Sequence, residues 1–130
     1  MVIPPCTVKI LIVDDSKAFR DRLRRHLADT PRFEVTGEAS SGKEAIAVIE
    51  AEQPDVILLD LEMPAGNGLA VLRRLRDLGS AIPVIIMTNH ATYRVRERCL
   101  ALGAHTVMDK LDVSSRLLPV LAELTHGRDR

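Results

Sequence analysis

Short apolar runs alternate with segments of helical periodicity along the whole chain. Each run has the length of a β-strand, and the segments between the runs are long enough for a helix. Five such strand-helix units predict an α/β fold in which helices connect parallel strands. The predicted strands are about Lys9–Val13, Glu34–Ala39, Val56–Leu59, Val84–Met87 and Thr106–Met108.

The segments between the strands predict five helices. Ser16 is a suitable N-cap for the first, which is expected to end near Ala28. Pro119 lacks a backbone donor and is tolerable in the first turn of a helix, so the regular part of the last helix is expected from about Ser115 onward. The other three are predicted at Gly42–Glu52, after Asn67, and at Ala91–Leu102 with Gly103 as the C′ residue.

The composition of the strands predicts their order in the sheet. The first, third and fourth are apolar on both faces, as in strands covered by helices on each side. The second alternates apolar Val35 with polar Thr36, which favours an edge position. With right-handed crossovers, this predicts a doubly wound (βα)5 flavodoxin-like fold with a parallel sheet of order 2-1-3-4-5.

Polar residues follow four of the predicted strands. Asp14 and Asp15 follow the first, Asp60 the third and Thr88 the fourth, and Lys110 comes shortly after the fifth. Because the carboxyl ends of parallel strands share one edge of the sheet, these side chains are expected to converge. Three clustered carboxylates repel one another, and a hard divalent cation relieves that repulsion. The pattern therefore predicts a Mg²⁺ site.

The same cluster has the parts of a phosphoryl-transfer site. Mg²⁺ binds a few carboxylates and keeps positions open for water and phosphoryl oxygens. Lys110 and Thr88 supply a cation and a hydroxyl for a phosphoryl group. An aspartate can itself act as the nucleophile, and Asp60, at the end of the central strand, is the candidate.

With these motifs in this order, the chain resembles the receiver domain of two-component response regulators, the CheY-like family. The resemblance covers nearly the full length, through the segments KILIVDDS, GEASSGKEAI, PDVILLDLEMPAGNGL, IPVIIMT and LGAHTVMDK. It implies that Asp60 accepts a phosphoryl group from a phosphohistidine on a sensor histidine kinase or a histidine phosphotransfer protein. It also implies that Thr88 and Lys110 bind phosphoryl oxygens.

The resemblance further implies a ligand set for Mg²⁺. Asp15 and Asp60 are expected to bind the cation directly, together with the backbone carbonyl of Glu62. Asp14 is expected to act mostly through water.

Three positions depart from the family pattern. The aromatic residue three positions before the lysine is replaced by Val107. A change at Thr88 must therefore be transmitted by backbone or loop movement rather than by an aromatic rotamer switch. Leu111 replaces the proline after the lysine, and a trans peptide is expected because a non-proline cis bond costs about 3–4 kcal/mol. Asn89 replaces a small residue and is expected to crowd the approach of phosphoryl donors.

Further residues acquire expected roles from the resemblance. Glu62 and His90 occupy the two variable positions that face the attacking water, and a pair between them is expected to tune dephosphorylation. Phe19 begins an apolar stripe with Leu23 and Leu27 on the first helix. The stripe favours a core residue, whereas the resemblance favours docking of the partner kinase, and both interpretations of Phe19 stay open.

Several charged and titratable residues are expected to be ordinary surface. Most arginines of the first and fourth predicted helices are expected to be solvated, as are the imidazoles. These residues are Arg20, Arg22, Arg24, Arg25, Arg94, Arg96, Arg98, His26 and His105.

Composition narrows the classes of function. The 130 residues fit one domain, 1–130, with a core at about 7–125 and a polar tail after Leu124. Eighteen basic and eighteen acidic residues leave no net field for nucleic acid or membrane binding. Cys6 and Cys99 lie far apart, no signal peptide opens the chain, and no apolar run is long enough to span a bilayer, so we expect a cytoplasmic protein.

Three hypotheses of function follow. The first is a stand-alone receiver, not an enzyme beyond assisting its own phosphorylation and dephosphorylation, which signals to a separate downstream effector through helix 4, strand 5 and helix 5. Met1 and the polar tail favour a complete small protein. The second is a receiver-like interaction module that works without phosphorylation. The third is a P-loop nucleotide hydrolase, suggested by GEASSGKE at 37–44 but weakened by Glu44, which replaces the metal-binding Ser or Thr.

Overall fold

The computed structural model describes residues 7–64 and 68–125. Five parallel strands form one sheet in the order β2-β1-β3-β4-β5, which confirms the predicted doubly wound topology. The strands are β1 (Val8–Val13), β2 (Phe33–Ala39), β3 (Val56–Asp60), β4 (Val84–Thr88) and β5 (Thr106–Asp109).

In the part of the chain that the structure describes, five α-helices connect and follow the strands. Among the described residues, none of the helices combines the length and apolar character needed to cross a membrane. The helices are α1 (Lys17–Ala28), α2 (Gly42–Glu52), α3 (Gly68–Asp77), α4 (Tyr93–Ala101) and α5 (Val113–Leu124), with a 3₁₀ turn at Lys110–Asp112 before α5.

Side-chain caps set the start of three helices. Ser16, Ser41 and Thr92 each accept a hydrogen bond from the backbone N–H three residues further on. The helix predicted from Ala91 therefore begins at Tyr93, because Thr92 is its cap. Gly103 has φ +96° directly after α4, as predicted for a C′ residue.

Successive residues of the central strands pack on opposite faces of the sheet. On β1, Ile10 and Ile12 pack with α1 and α5, whereas Leu11 and Val13 pack with α2, α3 and α4. All four side chains have no exposed surface. Burial on both faces explains why these strands are apolar until they reach the edge of the sheet.

Strand β2 contains a bulge that bears on the site. Its pairing with β1 skips Thr36, which is therefore an extra residue. An extra residue reverses the alternation of the side chains that follow it. As a result, Ala39 packs in the cluster of α2, α3 and α4, while Glu38 contacts Arg20 of α1.

Helix α3 begins against the end of β3. The N–H of Gly68 donates to the carbonyl of Leu61 at 3.0 Å. A Cβ at Gly68 would clash with the carbonyl oxygen of Asp60. This close approach accounts for the glycine, whereas Gly66 lies outside the described residues.

The prediction for the last helix was wrong in two respects. Helix α5 begins at Val113 and contains Pro119 in its interior. Pro119 cannot donate to the carbonyl of Ser115, but both residues are exposed, so water can satisfy that carbonyl.

The packed chain also extends one residue further than expected. Thr125 was predicted to belong to a frayed tail, but it is buried. Its hydroxyl donates to the carbonyl of Leu121 at 2.6 Å, and its own carbonyl accepts from Arg32 at 2.7 Å. Cys6, His126 and the rest of the tail lie outside the described residues.

The P-loop hypothesis is excluded by the position of its first glycine. A P-loop begins after its strand has ended. Gly37 instead lies inside β2, and Ser41 of the same motif serves as the N-cap of α2.

Candidate functional site

Three carboxylates meet at the carboxyl edge of the sheet. One oxygen each from Asp14, Asp15 and Asp60 lies within 4.8 Å of the other two. Asp14 and Asp60 are buried, at 0% and 1% exposure, whereas Asp15 is exposed. The fold thus places three like charges together, with one of them open to solvent.

Lys110 is the cation closest to this cluster among the described ion pairs. Its Nζ donates to Asp14 Oδ2 at 2.9 Å and lies 3.3 Å from Asp60 Oδ1. Burial on its own would lower the pKa of Lys110, but the hydrogen bond to Asp14 and the charges of both acids raise it overall. Lys110 therefore stays protonated, and one positive charge faces three carboxylates.

Asp60 has one engaged and one unengaged oxygen. Its Oδ1 accepts from the N–H of Glu62 at 3.0 Å, whereas its buried Oδ2 has no hydrogen-bond partner among residues 7–64 and 68–125. Burial is the main cause that raises the pKa of Asp60 to about 6. The charge of Asp14 acts in the same direction, while the hydrogen bond from Glu62 and the nearby Lys110 oppose the rise.

The donor set fits Mg²⁺. Carboxylate oxygens are the ligands that this cation prefers, and it usually keeps several waters. The exposed Asp15 gives such waters access, and the unpaired Oδ2 of Asp60 has free lone pairs. Three carboxylates and one ammonium group leave an excess of negative charge, which a divalent cation can neutralise.

Thr88 ends β4 at the same edge. It is buried, and its Oγ1 accepts from the N–H of His90 at 3.0 Å. In the register of β3 with β4, Asp60 pairs with Met87, so Thr88 lies one residue further along the edge. The hydroxyl oxygen is thus bonded to the loop that follows β4.

Glu62 bridges to that loop across the mouth of the site. Its Oε1 accepts from the N–H of Asn89 at 2.9 Å, and its Oε2 lies 3.5 Å from Nε2 of His90. The structure therefore brings Glu62 and His90 together. Asn89 takes part through its backbone, and its own side chain is exposed.

Arg96 joins the same loop to β5. Its Nε donates to the carbonyl of Ala91 at 3.2 Å, and its Nη1 donates to the carbonyl of Val107 at 2.7 Å. Most arginines of these helices were expected to be solvated, and Arg96 is an exception: it is half-buried, and it bonds to the backbone of Val107, the position where the family pattern has an aromatic residue. The Lys110–Leu111 peptide bond is trans, as predicted.

Arg20 is the second exception to the solvated positions that were expected for most of these arginines. Its Nη1 donates to the carbonyl of Asp14 at 2.6 Å, and its Nε donates to Glu38 at 2.8 Å. Arg24 also bonds to Glu38. Burial on its own would raise the pKa of Glu38, but the hydrogen bonds from the two arginines lower it overall. The bulge at Thr36, which turns Glu38 toward α1, leaves no signal in the sequence.

Phe19 lies between core and surface. It packs partly against the cluster of Leu23 and Leu27, and the Lys110 ammonium sits 4.6 Å from its ring centroid, a cation–π distance. His26 was expected to be solvated, but it is half-buried with an unpaired Nε2. His105 is exposed, as expected.

The raised pKa of Asp60 predicts a stability change with pH in the metal-free protein. Between the usual value of 3.8 and about 6, the unfolded chain loses this proton while the folded protein keeps it, so stability falls as pH rises through that range. In EDTA, Asp60→Asn should therefore exceed the wild type in unfolding free energy by about 1–3 kcal/mol at pH 7.5, and by much less at pH 4.5.

Urea unfolding followed by circular dichroism measures this difference. Asp77→Asn, an exposed acid on α3, is the matched control and should show no such pH-dependent gain. Equal pH profiles for the two variants would contradict the prediction.

The residues of this site lie within a region that matches the model of a known protein family. The model of the response regulator receiver domain matches residues 10–121. The protein-glutamate methylesterase/protein-glutamine glutaminase of Treponema pallidum (strain Nichols) is 42% identical over 105 residues, which are 79% of this chain and 26% of that protein. The protein of the same name from Geobacillus kaustophilus (strain HTA426) is 44% identical over 87 residues, 66% of this chain and 24% of that protein.

A solved receiver has the same fold. The response regulator domain of Thermotoga maritima CheB superposes with a TM-score of 0.81 at 26% identity, covering 90% of this chain and 95% of that chain. The chain spans about a quarter of the length of the two curated relatives. The match therefore covers one region of those proteins, and the enzymatic activity in their names does not carry over to this chain. Since the family model matches most of the chain and the fold agrees, this chain belongs to the response regulator receiver domain family.

Proposed function

We propose that this receiver domain is the phosphoacceptor switch of a two-component phosphorelay, with Asp60 as the phosphorylated residue. The observation that carries the proposal is Asp60 Oδ2, a buried carboxylate oxygen without a partner that lies among two further acids and beside Lys110. Folding has already incurred the cost of desolvating this oxygen. Its bond to an electrophile therefore forms without that cost and gives the oxygen a partner.

The transfer follows from the groups around Asp60. A carboxylate oxygen bonds to phosphorus while the bond from phosphorus to the partner's histidine nitrogen breaks, and that nitrogen keeps the electron pair. Lys110 already bridges Asp14 and Asp60, so it can pair with a phosphoryl oxygen. Thr88 donates its hydroxyl to another phosphoryl oxygen.

The acids at this edge would also hold the metal. In the ligand set that the family resemblance implies, Asp15, Asp60 and the backbone carbonyl of Glu62 would hold Mg²⁺ directly, and Asp14 would hold it through water. When bound, the cation neutralises charge on the phosphoryl oxygens.

The proposed partners are one protein that donates the phosphoryl group and another that receives the signal. The phosphoryl donor is a sensor histidine kinase or a histidine phosphotransfer protein, with Phe19 at the docking surface. The output surface is the face of α4, β5 and α5, which contacts a separate protein effector in the cytoplasm. The switch is not an enzyme beyond its own phosphorylation and dephosphorylation.

Intact-mass analysis tests the phosphoacceptor directly. After incubation with acetyl phosphate or phosphoramidate and Mg²⁺, the wild type and the control Asp77→Asn should gain one phosphoryl group, and Asp60→Asn should gain none. If the wild type shows no adduct, the alternative of a phosphorylation-independent interaction module is favoured instead.

The Glu62–His90 pair should lengthen the life of the phosphoryl group. It spans the mouth of the site, where it restricts the approach of water. Replacing both residues by alanine should speed loss of the phosphoryl group about threefold to tenfold, a barrier change of roughly 1 kcal/mol.

The rate is read from the decay of the mass adduct after donor is removed. Glu50→Ala with His105→Ala, both exposed, is the matched control. An unchanged rate in the Glu62, His90 double variant would refute the tuning role.

Arg96 should carry the signal from the site to the output surface. Hydrogen bonds run from Asp60 through Glu62 to Asn89, and Arg96 ties the rest of that loop to Val107. When Thr88 donates its hydroxyl to the phosphoryl group, its oxygen moves toward the site, and the His90 N–H bonded to that oxygen moves with it, together with the loop that Arg96 holds. This route needs no aromatic residue in β5.

Hydrogen exchange measures this coupling. Arg96→Gln should still be phosphorylated, but phosphorylation should no longer alter amide exchange in β5. Arg94→Gln, which removes an exposed arginine from the same helix, should keep the wild-type response. Equal responses in both variants would exclude Arg96 as the route.

A further inference from the structure

We infer that Arg20 is a positioning residue that sets the geometry of the metal-binding carboxylates. The inference rests on the proposed Mg²⁺ site. Arg20 touches neither the phosphoacceptor nor any carboxylate of the cluster in the hydrogen bonds of the described residues. Its Nη1 donates to the carbonyl oxygen of Asp14 at 2.6 Å, and its side chain is only 14% exposed.

The contact acts on the peptide group between the two neighbouring acids. A peptide group is planar, so fixing its oxygen fixes the direction in which the next residue leaves. Strand β1 ends at Val13, and the last backbone tie to β2 is the N–H of Asp14 to the carbonyl of Ala39 at 3.0 Å. Arg20 therefore holds the first peptide beyond the strand, from which Asp15 projects.

The two acids are restrained in different ways. The carboxylate of Asp14 is fixed by the N–H of Ser16 at 2.8 Å and by Lys110 at 2.9 Å. Asp15 is exposed, so its placement depends on the backbone before it. The exposed acid is thus the one that Arg20 places.

Glu38 holds Arg20 in the required orientation. Nε of Arg20 donates to Oε1 of Glu38 at 2.8 Å, while Arg24 bonds to the other oxygen. The guanidinium is a rigid fork, so holding one donor directs the other. The bulge at Thr36 turns Glu38 toward α1, and β2 thereby supports the ligand geometry at the end of β1.

Charge and positioning predict opposite effects when Arg20 is removed. A guanidinium near three carboxylates repels a cation, so on charge alone its loss should tighten Mg²⁺ binding. If Arg20 positions Asp15, its loss should weaken binding, as removal of outer-shell supports of metal ligands usually does. The sign of the change therefore separates the two effects.

Arg24 provides a matched control within the same cluster. It lies on the same helix and bonds to the same Glu38, but its hydrogen bonds to the described residues do not include Asp14. Arg24→Gln removes the same charge without the positioning contact. Arg20→Lys keeps the charge but loses the fork that spans Glu38 and Asp14.

The experiment is isothermal titration of Mg²⁺ into the full chain without a phosphoryl donor, with urea midpoints measured alongside. The dissociation constant should rise about tenfold in Arg20→Gln, rise less in Arg20→Lys, and stay equal or fall in Arg24→Gln. Glu38→Gln should also raise it, which keeps the test available if Arg20→Gln does not fold. A general loss of stability, which the urea midpoint measures, would not by itself produce this order of Mg²⁺ affinities.

The outcomes separate this inference from the proposed function. An equal or lower dissociation constant in Arg20→Gln than in Arg24→Gln overturns the positioning role. If the wild type binds no Mg²⁺, both the metal site and this role are overturned. Normal Mg²⁺ binding with no Asp60 adduct overturns the phosphoacceptor function alone.

Discussion

The site depends on the repulsion between three carboxylates that the sheet holds within 4.8 Å. Two of them are buried, so water cannot screen their charges, and one lysine cannot neutralise all three. The fold tolerates this arrangement because it is anchored by strands whose apolar side chains are buried on both faces. The stability of the two cores offsets the repulsion at the edge, and the negative charge that remains there favours a divalent cation.

This balance also explains why the basic residues near the site are engaged rather than solvated. Lys110 contacts Asp14 and Asp60 through its ammonium group, which also lies over the ring of Phe19 at a cation–π distance. Of the groups in the acidic cluster, Arg20 bonds only to the backbone carbonyl of Asp14, and its charge pairs with Glu38. The first cation contacts two carboxylates, whereas the second holds a backbone carbonyl, so different residues act on the charge and on the geometry of the edge.

The sequence predicted the fold and the converging residues well, because both follow from local patterns. Apolar runs with a polar residue at their end determine which side chains reach the sheet edge, as Asp60 and Thr88 do. The contacts of Arg20 and Arg96 could not be predicted, since one depends on a bulge in β2 and the other on how α4 packs beside the backbone of β5. Pro119 was misjudged for a related reason: its tolerance depends on exposure rather than on its place in the sequence.

The replacement of an aromatic residue by Val107 changes what kind of switch this receiver can be. A buried valine has no polar group and little freedom to swing, so its side chain cannot report the state of Thr88. The backbone carbonyl of Val107 is instead held by Arg96, which also holds the loop that Thr88 binds. Two conformations that differ in the loop will therefore differ in this arginine as well. A ligand shifts such an equilibrium only through contacts that distinguish the two states. At this site, the hydrogen bond from the His90 N–H to Thr88 Oγ1 ties the position of the loop to that of the threonine.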